Sequence, residues 1–169
     1  MQATAHKVML LGEIGVGKSS LAQRLLFNRF SGQYKPTIGV EVLRYEVPPD
    51  AIAGGPMSLI LWDTDGNFGD AIFRHVYIKE AAAAVIVGDA QRPETLDSMV
   101  RLAAGFSEVL PGRIVHFILN KWDLVQVDAE PVPPAGFGAR PVIRTSALSG
   151  TKVLDAFIET AKAIRRRGH

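Results

Sequence analysis

The chain has 169 residues, 47% of them hydrophobic, so a single domain spanning residues 1–169 with a sizeable core is expected. Its 19 basic and 17 acidic residues leave a formal net charge of +2, too near balance to argue for a nucleic-acid partner. It contains no cysteine, which excludes disulfides, thiolate metal sites, prenylation and palmitoylation; with no signal-peptide pattern and no apolar run of about 18 residues, a soluble cytoplasmic protein without a stable membrane anchor of its own is expected.

Lys7-Val8-Met9-Leu10-Leu11 reads as a buried strand that runs into Gly12-Glu13-Ile14-Gly15-Val16-Gly17-Lys18-Ser19, and Ser19 to Phe27, with Leu21, Leu25 and Leu26, reads as the helix that leaves it. The eight-residue stretch has the spacing of a phosphate-binding loop. A bound phosphate needs several inward N–H donors, and only a chain with little Cβ bulk wraps that closely; Gly12, Gly15 and Gly17 supply the room. The expected nucleotide contacts are Gly12, Gly15, Val16, Gly17, Lys18, Ser19 and Ser20. Lys18 would set an ammonium against the outer phosphates, and the Ser19 hydroxyl would reach a Mg²⁺ bridging two phosphate oxygens. A ligand-free glycine-rich turn fits the same letters, but the flanking strand and helix favour the cradle.

Asn28 to Lys35 is polar and glycine-containing, a mobile loop by composition, and Pro36-Thr37-Ile38-Gly39 leads into a strand at 41–47. There Leu43, Tyr45 and Val47 alternate with Arg44 and Glu46, which predicts one wet face and an edge position. Turn formers between Pro48 and Pro56 join it to the apolar run 57–62, an antiparallel hairpin whose second member lies inside the sheet. Asp63-Thr64-Asp65-Gly66-Asn67 follows; then 68–83 is expected to be helical and 84–88 to be a strand. Pro93 opens a helix with Leu96, Met99, Ala103, Phe106 and Leu110 on its apolar face, and Pro111-Gly112 stops it. The buried strand 114–119 delivers Asn120-Lys121-Trp122-Asp123 at its C-terminal end, where ligands of open parallel sheets gather. The proline-rich stretch from Leu124 to Pro141 predicts an irregular crossover. A short strand at 142–144, the loop Thr145-Ser146-Ala147-Leu148-Ser149-Gly150, and a final helix follow; Thr151 is the expected cap, and Val153, Leu154, Phe157, Ile158, Ala161 and Ile164 the expected stripe. Strands alternating with helices predict a doubly wound α/β fold, a six-stranded, mostly parallel sheet with one antiparallel edge strand.

In such a sheet Asp63-x-x-Gly66 is expected to hold a Mg²⁺-bound water through its carboxylate and to face a terminal phosphate through the glycine N–H. Asn120-Lys121-x-Asp123 is the more telling element, because a carboxylate accepts both the N1–H and the 2-amino hydrogens of guanine, whereas adenine offers neither pair. Lys121 would lay its stem along the base, and the Thr145-Ser146-Ala147 loop would present a backbone N–H to the guanine carbonyl oxygen. In isolation each short pattern also fits an ordinary turn, an N-cap or a surface lysine. His6, His75, His116 and His169 are scattered without metal or triad spacing and read as structural or surface residues. Arg165-Arg166-Arg167 reads as a solvated helix end.

The ordered set GEIGVGKS, YKPTIG, WDTDG, NKWD and TSA resembles the Ras superfamily of small GTPases, nearest its Rab-like members, over almost the whole chain. The resemblance implies a P-loop small G domain that binds GTP and GDP with Mg²⁺ and hydrolyses GTP. It implies that Thr37 senses Mg²⁺ and the terminal phosphate, that Phe30 packs on the base, and that Tyr34 closes over the phosphates. Ser19, Thr37 and Asp63 are then the metal residues, Thr37, Gly66 and Asn67 the catalytic ones, and Asn120, Lys121, Asp123, Ser146 and Ala147 the base contacts. Effectors and regulators are expected at the loops Tyr34–Gly39 and Asp65–Ile72. The chain departs from the family at Asp65, commonly alanine, and at Asn67, commonly the glutamine that orients the attacking water. Ile14 stands where relatives carry a small residue, and the proline-rich 131–141 stretch replaces a family helix. Slow hydrolysis is therefore expected; a nucleotide-holding adaptor with negligible hydrolysis is the alternative, and an ATP-using P-loop enzyme is disfavoured by NKWD.

Overall fold

In the computed structural model, residues 2–33, 37, 39–64, 77–126, 128 and 131–168 are described. The first strand, β1 (Thr4–Leu11), sits at the centre of a six-stranded sheet. It is followed by helix α1 (Lys18–Phe27), strands β2 (Val40–Glu46), β3 (Met57–Thr64) and β4 (Ala83–Asp89), helix α2 (Pro93–Val109), strands β5 (Ile114–Asn120) and β6 (Val142–Arg144), and helix α3 (Val153–Arg166). The sheet order is β2-β3-β1-β4-β5-β6, with only the edge strand β2 antiparallel, to β3. The expected fold class holds.

Strand alternation divides the core between the two faces of the sheet. Val8 and Leu10 of β1 join Leu21 of α1 and Phe157 and Ile164 of α3 in one cluster. Met9 and Leu11 join Met99 and Phe106 of α2 and Phe117 of β5 in the other. β4 is buried along its whole length, as a strand covered on both faces must be, which is why its sequence is apolar without alternation. β2 alternates as expected, with Tyr45 buried between exposed Arg44 and Glu46.

Four local expectations are corrected. A helix through residue 83 does not form: 65–76 lie outside the described residues, Ile78 to Ala82 form a turn closed by Ala81 N–H to the Ile78 carbonyl, and Ala83 already belongs to β4. The four alanines fit a helix by propensity, but the Ala82 N–H finds its partner at the Lys7 carbonyl of β1, and tertiary pairing wins. Thr151 does not cap α3; its hydroxyl pairs with Ser149 at 2.7 Å, and Lys152 occupies the cap position with φ 54° and no side-chain cap bond. Leu154 points outward and is 48% exposed, because Val153, Ala156, Phe157, Ala161 and Ile164 define the buried side of α3. Arg165 is tied down, its guanidinium donating to the Gly54 and Gly55 carbonyls at 2.5 and 2.7 Å; α3 thus clasps the β2–β3 turn.

The proline-rich crossover carries short 3₁₀ turns at Trp122–Leu124 and Ala135–Phe137 and no α-helix among its described residues. Phe137 nevertheless folds inward, stacking on Phe117 with ring centroids 4.2 Å apart, and so closes the α2 side of the core.

Candidate functional site

Parallel pairing brings the C-terminal ends of β1, β3, β4 and β5 to one edge of the sheet. Leu10 is in register with Asp63 and Asp89 with Asn120, so the glycine-rich loop after β1 lies among the acidic and amide groups that end its neighbours. The chain leaves β1 toward β3 on one side and β4 on the other, the switch of direction at which such sheets bind ligands.

The loop itself is built by close approach. A Cβ on Gly12 would collide with the Val87 carbonyl oxygen, and one on Gly17 with the Asn120 amide nitrogen; both residues also have positive φ, 150° and 103°. Gly17 caps α1 without a side-chain bond, so the first N–H groups of that helix are kept for an anion. Lys18, 6% exposed, curls back to donate to the Gly12 and Glu13 carbonyls at 2.7 and 2.9 Å, which holds its ammonium inside the loop. Val16 is fully buried beneath it, and Ser20 lies in the first turn of α1.

Ser19 Oγ bonds Asp63 and lies 2.7 Å from Thr37 Oγ1, so the three expected metal residues meet. Asp63 is fully buried and its Oδ1 has no hydrogen-bond partner. Burial pushes its carboxyl above the ordinary range, opposed by the Ser19 hydroxyl and the Lys18 ammonium. A buried carboxylate with an orphaned oxygen beside two hydroxyls is a donor set suited to a hard, oxygen-seeking dication.

On the other side Asn120 acts as a junction. Its Nδ2 donates to the Val16 carbonyl at 3.0 Å, and its Oδ1 accepts from the Thr145 hydroxyl at 3.1 Å and the Ala147 N–H at 3.2 Å. One side chain thereby fastens the phosphate loop to the loop after β6. Lys121, held at φ 62°, donates to the Gly15 carbonyl and to Asp89 Oδ2, both at 2.8 Å. This left-handed backbone is an uncommon conformation for lysine, sustained by those two bonds and by Trp122 N–H to the Thr145 carbonyl at 3.0 Å. Asp123 is exposed, and its Oδ1 accepts from Ser146 Oγ at 2.7 Å. Phe30 is 40% exposed.

Thus Gly12, Gly15, Val16, Gly17, Lys18, Ser19, Ser20, Thr37 and Asp63 gather on the phosphate side, and Asn120, Lys121, Asp123, Ser146 and Ala147 on the other. Tyr34, Asp65, Gly66 and Asn67 lie outside the described residues. The Ala147 N–H, expected to face a base, is engaged by Asn120 in a bond long enough to be shared. Sequence reasoning does not single out Asp89. It is 2% exposed, and it supports Lys121 while accepting the Gln91 N–H at 2.9 Å. The signal available is its place at the C-terminal end of an otherwise wholly apolar strand.

A Ras family model matches residues 7–166. Ras-related protein RABA1b of Arabidopsis thaliana is 33% identical over 165 residues, covering 95% of this chain and 75% of that protein. Ras-related protein Rab11D of Lotus japonicus is 33% identical over 165 residues, with 95% and 74% covered. Ras-related protein Rab-5B of Plasmodium falciparum is 38% identical over 98 residues, 58% of this chain and 46% of its own. With the family model spanning nearly its whole length and its loops meeting at one sheet edge, the chain belongs to the Ras family of small GTPases, on its Rab-like side.

Proposed function

We propose that the chain is a guanine-nucleotide switch, one domain over residues 1–169, that binds GTP and GDP with Mg²⁺ and hydrolyses GTP slowly to GDP and phosphate. The observation that carries this reading is the double attachment of the phosphate loop to the NKWD loop, Asn120 to the Val16 carbonyl and Lys121 to the Gly15 carbonyl, which sets a phosphate cradle and a carboxylate at a fixed separation.

In this reading the N–H groups of the loop and of the first turn of α1 surround the phosphates, and Lys18 exchanges its carbonyl partners for phosphate oxygens. Ser19, Thr37 and Asp63 would hold Mg²⁺, which supplies charge neutralisation at the phosphates when bound. The Asp123 carboxylate accepts the two guanine donors while Ser146 orients it. Phe30 packs on the base, Lys121 lies along it and Ala147 shares its N–H. Tyr34, Gly66 and Asn67 take the roles the family resemblance implies: covering the phosphates, facing the terminal one, and orienting water. Effectors and regulators would read the loops Tyr34–Gly39 and Asp65–Ile72.

Ile14, 43% exposed on the outer arm of the loop, favours the slow end of the range and keeps the adaptor alternative in view, since it crowds the approach of a partner's arginine. Competition of GTP, GDP and ATP against a fluorescent guanine nucleotide tests the binding half; displacement by ATP as good as by GTP contradicts it. Single-turnover GTP hydrolysis by purified protein separates switch from adaptor. No described helix is long and apolar enough to cross a membrane; cosedimentation of the lone protein with neutral and acidic vesicles measures its own affinity for a lipid surface.

A further inference from the structure

The outer arm of the phosphate loop is weakly held by its own backbone: its closing bond, Val16 N–H to the Glu13 carbonyl, is 3.5 Å long. Lys18 holds it at the Glu13 carbonyl and Lys121 at the Gly15 carbonyl, and the Ile14 carbonyl between them is held from the start of α2. Arg92, the residue before that helix, donates from Nη2 to the Ile14 carbonyl at 2.9 Å. Its Nη1 lies 3.6 Å from where a Cβ on Gly15 would sit, so the guanidinium lies against the loop where glycine leaves it room. Its charge is set among Asp89 at 3.6 Å and Glu13 and Glu94 at 3.9 Å. Ser98, one turn into α2, bonds the Glu13 carboxylate and accepts from Arg101 at 2.8 Å. Residues 13 and 14 are therefore each bonded by a side chain at the α2 N-terminus, and the same Asp89 that faces Arg92 holds Lys121 of the NKWD loop.

We propose that Arg92 is a positioning residue that latches the phosphate loop to helix α2 through the Ile14 carbonyl and Glu13, and thereby slows nucleotide release. An exposed ion pair alone contributes little. The bond to the Ile14 carbonyl is different, because it fixes a peptide unit inside the loop whose N–H groups must converge on phosphate, and loss of a charged hydrogen bond there is transmitted to every donor in the cradle. A fork-shaped guanidinium suits this position because it reaches the carbonyl with one arm while packing along Gly15 with the other, which a lysine does not reproduce. The latch also places nucleotide retention under the control of α2.

The inference rests on the guanine-nucleotide reading, and one set of measurements separates the two. Release of N-methylanthraniloyl-GDP is followed with Mg²⁺ present for wild type, Arg92→Ala, Arg92→Lys, Glu13→Gln and, as a remote control, Lys162→Ala on α3. Arg92→Ala is expected to speed release about tenfold. Arg92→Lys should recover part of the loss, Glu13→Gln should speed release several-fold, and Lys162→Ala should match wild type. Thermal unfolding of each protein without nucleotide identifies a variant that fails to fold, in which case the Glu13→Gln result stands for the latch. Wild type that does not bind the probe overturns the nucleotide reading and the latch together. Wild type that binds, with release within twofold in folded Arg92→Ala and in Glu13→Gln, overturns the latch alone.

Discussion

The two halves of the site are finished to different degrees. On the phosphate side Lys18 is 6% exposed, Asp63 and Val16 are fully buried, and the polar groups already bond one another across the loop. On the base side Asp123 is exposed and Phe30 is 40% exposed, with Ser146 holding the carboxylate. A buried cation needs partners before any ligand arrives, because an unpaired charge in the interior is costly; Lys18 has them at the Gly12 and Glu13 carbonyls, whereas Asp63 is bonded through one oxygen and keeps the other for a ligand. A group at the surface has water to fall back on. In the guanine-nucleotide reading the largely preorganised phosphate half would set baseline affinity, whereas the base half would be completed by its ligand and set selectivity.

The hardest way to break that division is Lys18→Ala, which removes the buried charge of the preorganised half. Triphosphate affinity is expected to fall by about 4 kcal/mol, roughly a thousandfold. Calorimetry that still finds nanomolar GTP binding in this variant means that the loop is not the cradle. Asp123→Ala strikes the other half. Guanine nucleotide should bind about 3 kcal/mol more weakly, with GTP and ATP now competing nearly equally, since only the base readout is gone. Unchanged GDP affinity there sinks the assignment.

A smaller effect concerns rate. In the proposed role of orienting water, Asn67, one methylene shorter than glutamine, would hold it more loosely, and Asn67→Gln is expected to raise single-turnover hydrolysis about tenfold, the more so combined with Asp65→Ala. Brisk wild-type hydrolysis that slows in Asn67→Gln would mean that these residues serve another geometry. The smallest effect tests the support beneath the base half. His116 on β5, the strand that carries Asn120, meets Thr160 of α3 at 2.9 Å, and burial lowers its pKa, with Glu159 raising and Arg166 lowering it to smaller extents. A lowered folded pKa means that the unfolded chain binds the proton more readily: stability is complete above the ordinary histidine pKa of about 6.5 and is lost as pH falls below it. Between pH 7.5 and 5.5 Tm should drop by roughly a few degrees, and His116→Gln should flatten that dependence. An equal drop in both proteins assigns the acid sensitivity elsewhere.

The sequence by itself carried the sheet, the strand–loop–helix at residues 4–27 and the chemistry of NKWD, because these rest on local signals: unbroken apolar runs, glycine spacing and the donor pattern that a carboxylate accepts. It did not carry the end of the helix expected at 68–83, since four alanines favour a helix locally, and only the bond from the Ala82 N–H to the Lys7 carbonyl of β1 leads the chain into β4 at Ala83. Nor did it distinguish Arg165, bound to the β2–β3 turn, from its exposed neighbours Arg166 and Arg167. Asp89, Glu13 and Arg92 stayed unread for the same reason. Each is an ordinary charged residue in its own segment, and each acquires a role only when parallel pairing of β4 with β1 and β5 brings the start of α2 against the phosphate loop. Side chains that bond across 30 to 80 residues leave no periodic trace in the chain, so their partners are decided by the tertiary structure alone.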